Sequence, residues 1–463
     1  MIRVVAGVFL FLCVAPMPAV LDGVAGLPTD IFAVAIITGL YGRVLRFGRS
    51  AAWAVGLLVV VTIGWSVVGL LQGVPDIGRL LGDARPLLRV AATISIAIAV
   101  VDRLGARRSI AFMFRIATCI AVFSLGALLL TLSGLDLFSL RTETANLWAG
   151  NFSSLSEQTR VSLPSSEFLA IMSVAAIAAS SNLPLPGFKR WQLSLLVACG
   201  PLVAVTGYSR SLFLVMLIGP LLLLLLGPNR VAVLRTVLTV LGATALVLLT
   251  LFLASESFHL NIWRSIAASF EAFSGRVLNG LTPEAIALDA SARWRDREAE
   301  AALSYVSNHF ITGSGLGSPY RTYLFGEIFR DSYGLTYIHN SYLWALVKLG
   351  IVGSLALAVA FFLSARGMVS ALFDPCLRAP SGAAIAIAGA VAVISAGSPT
   401  PFDPNGSAVV GLILASGLVL AELRVRGRDD ALAISRIHTN VRTKRRAPRG
   451  RMSARSVADT QEG

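Results

Sequence analysis

Charge is scarce in this chain. Asp, Glu, Lys and Arg make up 14% of its 463 residues, and mean hydropathy is +0.76. Globular chains carry roughly a quarter charged residues, so this composition excludes an ordinary soluble enzyme or binding domain. Cysteine is also scarce, at 4 residues. Cys13, Cys119 and Cys199 lie in apolar runs and Cys376 in a polar turn. None has metal-ligand spacing, so neither a zinc centre nor a disulfide framework is expected. The alternating ten-residue segments of a membrane β-barrel are missing. No internal repeat is found, which argues against transporter folds built from duplicated halves.

What is present is long hydrocarbon. Apolar runs fall at about 4–21, 28–42, 51–71, 86–101, 110–133, 166–182, 191–207, 209–227, 231–253, 340–363, 381–397 and 407–423. Runs of about 17–25 apolar residues cross a bilayer as helices, which satisfy their own backbone. The expectation is an all-α, polytopic membrane protein with about twelve spans. Its organisation reads as an N-terminal bundle at 1–253, a large polar loop at 254–338, further spans at 339–423 and a basic tail at 424–463. The first run could be a signal peptide, but no soluble domain follows it, and an uncleaved anchor is the preferred reading.

Lys and Arg set the orientation. Arg43, Arg46 and Arg49, then Arg103, Arg107 and Arg108, Lys189 and Arg190, Arg230 and Arg235, and Arg366 and Arg378 occupy alternate loops. The intervening loops are acidic or nearly uncharged, which places both termini in the cytoplasm and the 254–338 loop outside. Much of the formal charge of +14 sits in the tail, including Arg442, Lys444, Arg445 and Arg446. Anionic lipid headgroups are the expected partner of such a tail. Nucleic acid is not, because no aromatic stacking platform accompanies the charge.

Chemistry therefore belongs to the few polar residues at the outer rim. Ser209-Arg210 stands in a tight turn between two apolar runs, where an arginine must snorkel, pair or meet an anion. Arg293, Arg295 and Arg297 lie on a charged, helix-permissive stretch, either as a solvated face or as an anion site. Gly313, Gly315 and Gly317 permit tight or anion-binding turns. His339 and Asn340 stand where the loop ends and a span begins, as a helix cap or as a base. His259 and His309 read as structural, and Glu167 and Lys348 as polar groups needing partners.

Taken in order, Ser209-Arg210, the arginine-bearing helix, Gly313-Ser314-Gly315-Leu316-Gly317, His339-Asn340 and Gly350-Ile351-Val352-Gly353 resemble the O-antigen ligase and polymerase superfamily of bacterial membrane proteins. The resemblance covers roughly 190–365. It departs where the family often has His-Pro and this chain has His309-Phe310. It implies a metal-independent glycosyltransferase of GT-C-like architecture, without a cofactor, in the bacterial inner membrane with its site facing the periplasm. The implied donor is an undecaprenyl-diphosphate-linked glycan. Arg210 and either Arg295 or Arg293 would hold the diphosphate, and His339 would be the catalytic base. Ser209, Gly313, Gly315, Gly317 and Asn340 would support them. A lipid-linked glycan acceptor makes a polymerase of O-antigen or exopolysaccharide, working beside a flippase and a chain-length regulator. A lipid A-core acceptor makes a ligase of lipopolysaccharide assembly, and a pilin acceptor a protein glycosyltransferase. The reading from a different class is a secondary transporter, which should carry ionisable residues at mid-membrane.

Overall fold

The computed structural model describes residues 1–18, 26–73, 76–132, 137–138, 140–144, 159–182, 188–207, 209–242, 290–322 and 335–426. Most of the 254–338 loop and nearly all of the basic tail lie outside these residues, as does His259. The helices are α1 (Ile2–Val14), α2 (Gly26–Phe47), α3 (Arg49–Leu71), α4 (Ile77–Leu104), α5 (Ala106–Leu132), α6 (Ser166–Asn182), α7 (Arg190–Thr206) and α8 (Arg210–Leu226). A helical stretch at 230–242 follows. Then come α9 (Ala290–Asn308), α10 (Ser341–Leu372), α11 (Arg378–Ile394) and α12 (Ser407–Arg426). Arg141–Thr144 and Thr159–Ser162 form an antiparallel ribbon, β1–β2, in which Arg141 faces Ser162. That ribbon departs from an all-helical plan, and its Thr and Val content suits extended backbone.

Each apolar run, among the described residues, overlaps one of these helices. Among the described residues, four segments are both long and apolar enough to span a membrane: Arg49–Leu71, Ala106–Thr131, Ser341–Leu372 and Ser407–Val425. The chain is a helical membrane protein. Helix α4 corrects the sequence reading at one boundary. It starts at Ile77, well before the expected span at 86, because its charged first turns are paired inside the bundle. Asp76 caps it by accepting from the Gly78 amide at 2.7 Å. Arg85 Nε meets Asp30 of α2 at 2.9 and 3.0 Å, and Asp83 meets Lys348 of α10 at 2.8 Å.

The helices sort their loops to two ends. The carboxylate of Glu422, near the end of α12, abuts Gly48 at the start of α3. One apolar cavity is lined by Val101, Arg107, Leu377 and Leu423, so the ends of α4 and α12 meet the starts of α5 and α11. This end carries the arginine-rich loops. At the opposite end Gly69 of α3 and Leu80 of α4 both press on the loop after α9.

That loop is spliced into α10. In a regular helix the carbonyls of Val347 and Lys348 would accept from the amides of residues 351 and 352. Here they accept from Ser314 at 2.7 Å and Gly315 at 3.0 Å. The displaced amides donate elsewhere, Ile351 to the Phe310 carbonyl at 2.8 Å and Val352 to that of Ile311 at 3.3 Å. Gly350 makes the break with φ 58°, and a side chain there would strike the Ile311 carbonyl. Backbone interrupted within an apolar helix is tolerable only when its polar groups find new partners. Here each does.

An ion pair locks the splice. Lys348 is fully buried, and its Nζ reaches Asp83 Oδ2 at 2.8 Å and the Ser318 carbonyl at 2.6 Å. The same Asp83 oxygen accepts from the Gly317 amide at 2.8 Å. Breaking a buried pair leaves an uncompensated charge and costs about 3–5 kcal/mol. Lys348→Met should therefore lower the thermal unfolding midpoint of the detergent-solubilised protein. Adding Asp83→Asn, which keeps an acceptor for Gly317 but no charge, should restore most of the loss.

Candidate functional site

The site is built where α9 meets the start of α10. Although α9 is largely polar, Trp294, Glu298, Ala301, Ala302 and Tyr305 recur at helical spacing and turn towards the bundle. Ala302 is fully buried and Glu298 is 2% exposed. A carboxylate on a buried stripe must find donors. It finds two, both on His339. Glu298 Oε1 accepts from the His339 backbone amide at 2.6 Å, and Oε2 lies 2.6 Å from Nδ1 of the same residue. The edge of the imidazole meets the Tyr337 ring at a centroid distance of 4.9 Å.

His339 is held from its C-terminal side as well. Asn340 caps α10, its side-chain oxygen accepting from Tyr342 at 2.9 Å and Leu343 at 3.1 Å. Ser341 donates through its amide to the Ser395 carbonyl at 2.9 Å and through Oγ to the Ser398 carbonyl at 2.8 Å. Trp344 stacks on Phe402 at 4.0 Å. The turn at 395–404 is thus part of the rim. Glu167 finds its partners there, accepting from Thr400 Oγ1 at 3.0 Å and Ser398 Oγ at 3.4 Å. Burial raises the pKa of the neighbouring Asp403, opposed by hydrogen bonds from the Asn405 and Gly406 amides and by the Arg89 charge.

Arg210 is the first residue of α8 and is half-buried. Ser209 caps that helix, its Oγ accepting from the Leu212 amide at 3.4 Å. The other end of α8, at Leu226, lies against Gly382 near the start of α11. The two helices, each 17 residues long, are therefore antiparallel neighbours. Arg210 consequently stands level with the end of α11, whose Ala392 and Ser395 carbonyls bond the start of α10. Arg210 and His339 share one end of the bundle. A cation at a helix N-terminus faces the positive end of the backbone dipole, an arrangement that an anion would relieve.

Helix geometry separates the arginines of α9. Residues three apart differ by about 60° around an α-helix, so Arg295 shares the face of Glu298, whereas position 293 lies about 140° away. The side chain of Arg293 is outside the described residues, and those of Arg295 and Arg297 are exposed. Arg321 adds a cation that the motifs did not single out, its guanidinium lying 5.0 Å from the Trp294 ring.

The glycine loop has a different role from anion binding. Gly313, Ser314, Gly315, Leu316 and Gly317 donate their amides to His309, Val347, Lys348, Trp65 and Asp83 respectively. No amide of the five remains for a phosphate. Its glycines are needed because α3, α4 and α10 approach so closely that a Cβ at 313, 315 or 317 would meet backbone. His309 is stacked on Tyr305 at 4.1 Å. Glu298 and Asp83 went unremarked in the motifs. The signal for Glu298 was legible, as the one acid in register with Trp294, Ala301, Ala302 and Tyr305.

No curated protein matches the chain significantly. Residues 194–358 match the family model described as O-antigen ligase. The matched span runs from α7 into α10 and encloses Arg210, α9, the glycine loop and His339. The match covers just over a third of the chain and supports the resemblance to the O-antigen ligase and polymerase superfamily.

Proposed function

We propose that the protein transfers a glycan from an undecaprenyl diphosphate carrier to an acceptor hydroxyl at the outer face of the inner membrane, extending a surface polysaccharide. The observation that carries this reading is the convergence at one end of the bundle of a half-buried arginine, an arginine-bearing helix and a held imidazole. The family domain supports it. Arg210, Arg295 and, as a second choice within α9, Arg293 bind the donor diphosphate, whose oxygens match the guanidinium fork. They stabilise the negative charge that gathers on the diphosphate as the sugar leaves.

In the transfer, the acceptor oxygen bonds to the anomeric carbon while the bond from that carbon to the diphosphate oxygen breaks. The diphosphate leaves with the bonding electron pair. The acceptor proton passes to His339, which returns it to solvent or to the leaving group before the next turnover. The amide caps at Asn340 and Ser209 hold His339 and Arg210 in place without touching substrate.

The bundle's two ends differ in charge, and this supports an orientation with α9 in the periplasm and α12 ending in the cytoplasm. Cysteines introduced at Ser304 and Ser453, in a background lacking the four native cysteines, test it. An impermeant maleimide added to intact spheroplasts should label position 304 and spare 453. The reverse pattern would refute the proposed site. Arg210→Ala and Arg295→Ala should nearly abolish polymer formation at unchanged protein abundance, and lysine should rescue poorly because it lacks the fork. Normal polymer from Arg210→Ala would remove that residue from the donor site. Purified protein given lipid-linked repeats alone should build longer chains; a requirement for lipid A-core would make the activity a ligase.

His339→Gln can hydrogen-bond an acceptor but cannot take its proton near neutral pH. Turnover should fall by about 10²–10⁴, the usual worth of a positioned acid–base group, with donor binding intact. Wild-type turnover in this variant would leave His339 only an orienting role.

A further inference from the structure

The buried carboxylate of Glu298 has no place in the motifs that led to His339, yet it makes the tightest polar contacts at the site. We infer that Glu298 is the positioning residue of the transfer reaction: it fixes His339 in the tautomer whose Nε2 accepts the acceptor proton. This inference rests on His339 acting as base, and it adds the residue that decides which ring nitrogen does so.

The argument begins with what each atom can do. An ionised carboxylate accepts hydrogen bonds and donates none. Its contact with Nδ1 at 2.6 Å therefore requires the proton to sit on Nδ1. In the neutral ring that leaves Nε2 unprotonated, an acceptor. Among the described residues nothing bonds Nε2, and the side chain keeps 27% of its surface accessible. The ring is thus open to a substrate on part of its surface. The second carboxylate oxygen accepts from the backbone amide of His339 at 2.6 Å. One acid therefore grips both the ring and the main chain of one residue, which leaves the ring no freedom to turn about its side-chain bonds. Burial of Glu298 at 2% exposure keeps water from competing for either oxygen.

The same grip completes the proton accounting. As the acceptor oxygen attacks and the diphosphate departs with its electron pair, the hydroxyl proton moves to Nε2. The ring then carries protons on both nitrogens and one positive charge, directly against the carboxylate. Glu298 accepts the Nδ1 proton as a hydrogen bond throughout and is not itself protonated. The charge formed in the transfer is thus met by a preorganised partner rather than by water.

The backbone contact makes the decisive substitution unambiguous. In Glu298→Gln the His339 amide still needs an acceptor, so the carboxamide oxygen takes that side. Its NH₂ then faces Nδ1 and can only donate. Nδ1 becomes the acceptor, the proton moves to Nε2, and the base is lost with almost no change in shape.

Two measurements test this, on full-length protein in nanodiscs of bacterial phospholipid. The first is ¹⁵N spectroscopy of labelled histidine, feasible because the chain has 4 histidines and His339→Ala assigns the signal. Wild-type His339 should show the Nδ1–H neutral form, and Glu298→Gln the Nε2–H form. The second is kinetics with the lipid-linked donor. Glu298→Gln should lower kcat by about 10²–10⁴, the worth of a positioned acid–base group, with KM for the donor unchanged. Glu298→Asp, which keeps the charge, should recover part of kcat. An Nε2–H form in the wild type would overturn the inference even if no variant folds. So would wild-type kcat in Glu298→Gln when His339→Gln is inactive. Wild-type turnover in His339→Gln would instead overturn the base reading itself, whatever the tautomer.

Discussion

The rest of the site depends on one exchange of hydrogen bonds, the insertion of residues 310–315 into the broken ladder of α10. Two carbonyls and two amides that a continuous helix would pair with each other are paired with the loop instead. The energy of those bonds is large because the alternative, in hydrocarbon, is four unsatisfied polar groups. The consequence is positional. The loop follows α9 directly, and the first turns of α10 follow His339, so fixing loop to helix fixes α9 against His339. Without the splice, Glu298 and His339 would sit on two elements joined only through a long polar segment.

Electrostatics reinforces the same placement from the other side. Lys348 lies one residue past the first spliced carbonyl, and its ammonium is neutralised by Asp83 of α4. Asp83 also takes the Gly317 amide, so a single carboxylate ties loop, α10 and α4 together. Glu298 does the corresponding work at the rim, with one oxygen on backbone and one on a side chain. In both cases an acid withdrawn from water is satisfied by two donors, from loop and helix at Asp83 and from the ring and main chain of His339 at Glu298, which converts the cost of burial into a fixed relative position.

Much of this was legible in sequence. The helices could be read from apolar runs because a bilayer demands unbroken length. The order of Arg210, α9, glycine loop and His339 could be read because each motif is local. What escaped was everything whose meaning is a partner distant in sequence. Gly350-Ile351-Val352-Gly353 reads as two permissive residues around two apolar ones; that residues 351 and 352 donate to 310 and 311 is invisible without the fold. Three glycines in five residues suggest an anion nest equally well as a close approach, and only the fate of each amide separates the two. The start of α4 was placed late for a similar reason. Asp83 and Arg85 look like the polar flank of a span until their partners Lys348 and Asp30 are known.

Glu298 is the instructive case, because its signal lies in the register of the helix and not in any motif. On a helix rich in arginine, an acid is naturally taken as one half of a surface pair. The register of Trp294, Ala301, Ala302 and Tyr305 argues against that, since an acid in phase with apolar residues points where they point. Burying a carboxylate costs several kcal/mol unless strong donors meet it, so a sequence that keeps one on such a stripe has a donor waiting. In this fold the donor is His339, and the helix that supplies the acid also supplies Arg295 one turn away. Under the roles proposed above, α9 carries both an arginine for the diphosphate and the acid that holds the base. Because Arg295 and Glu298 share one rigid helix, a rotation of α9 that re-aimed Arg295 would also withdraw Glu298 from His339.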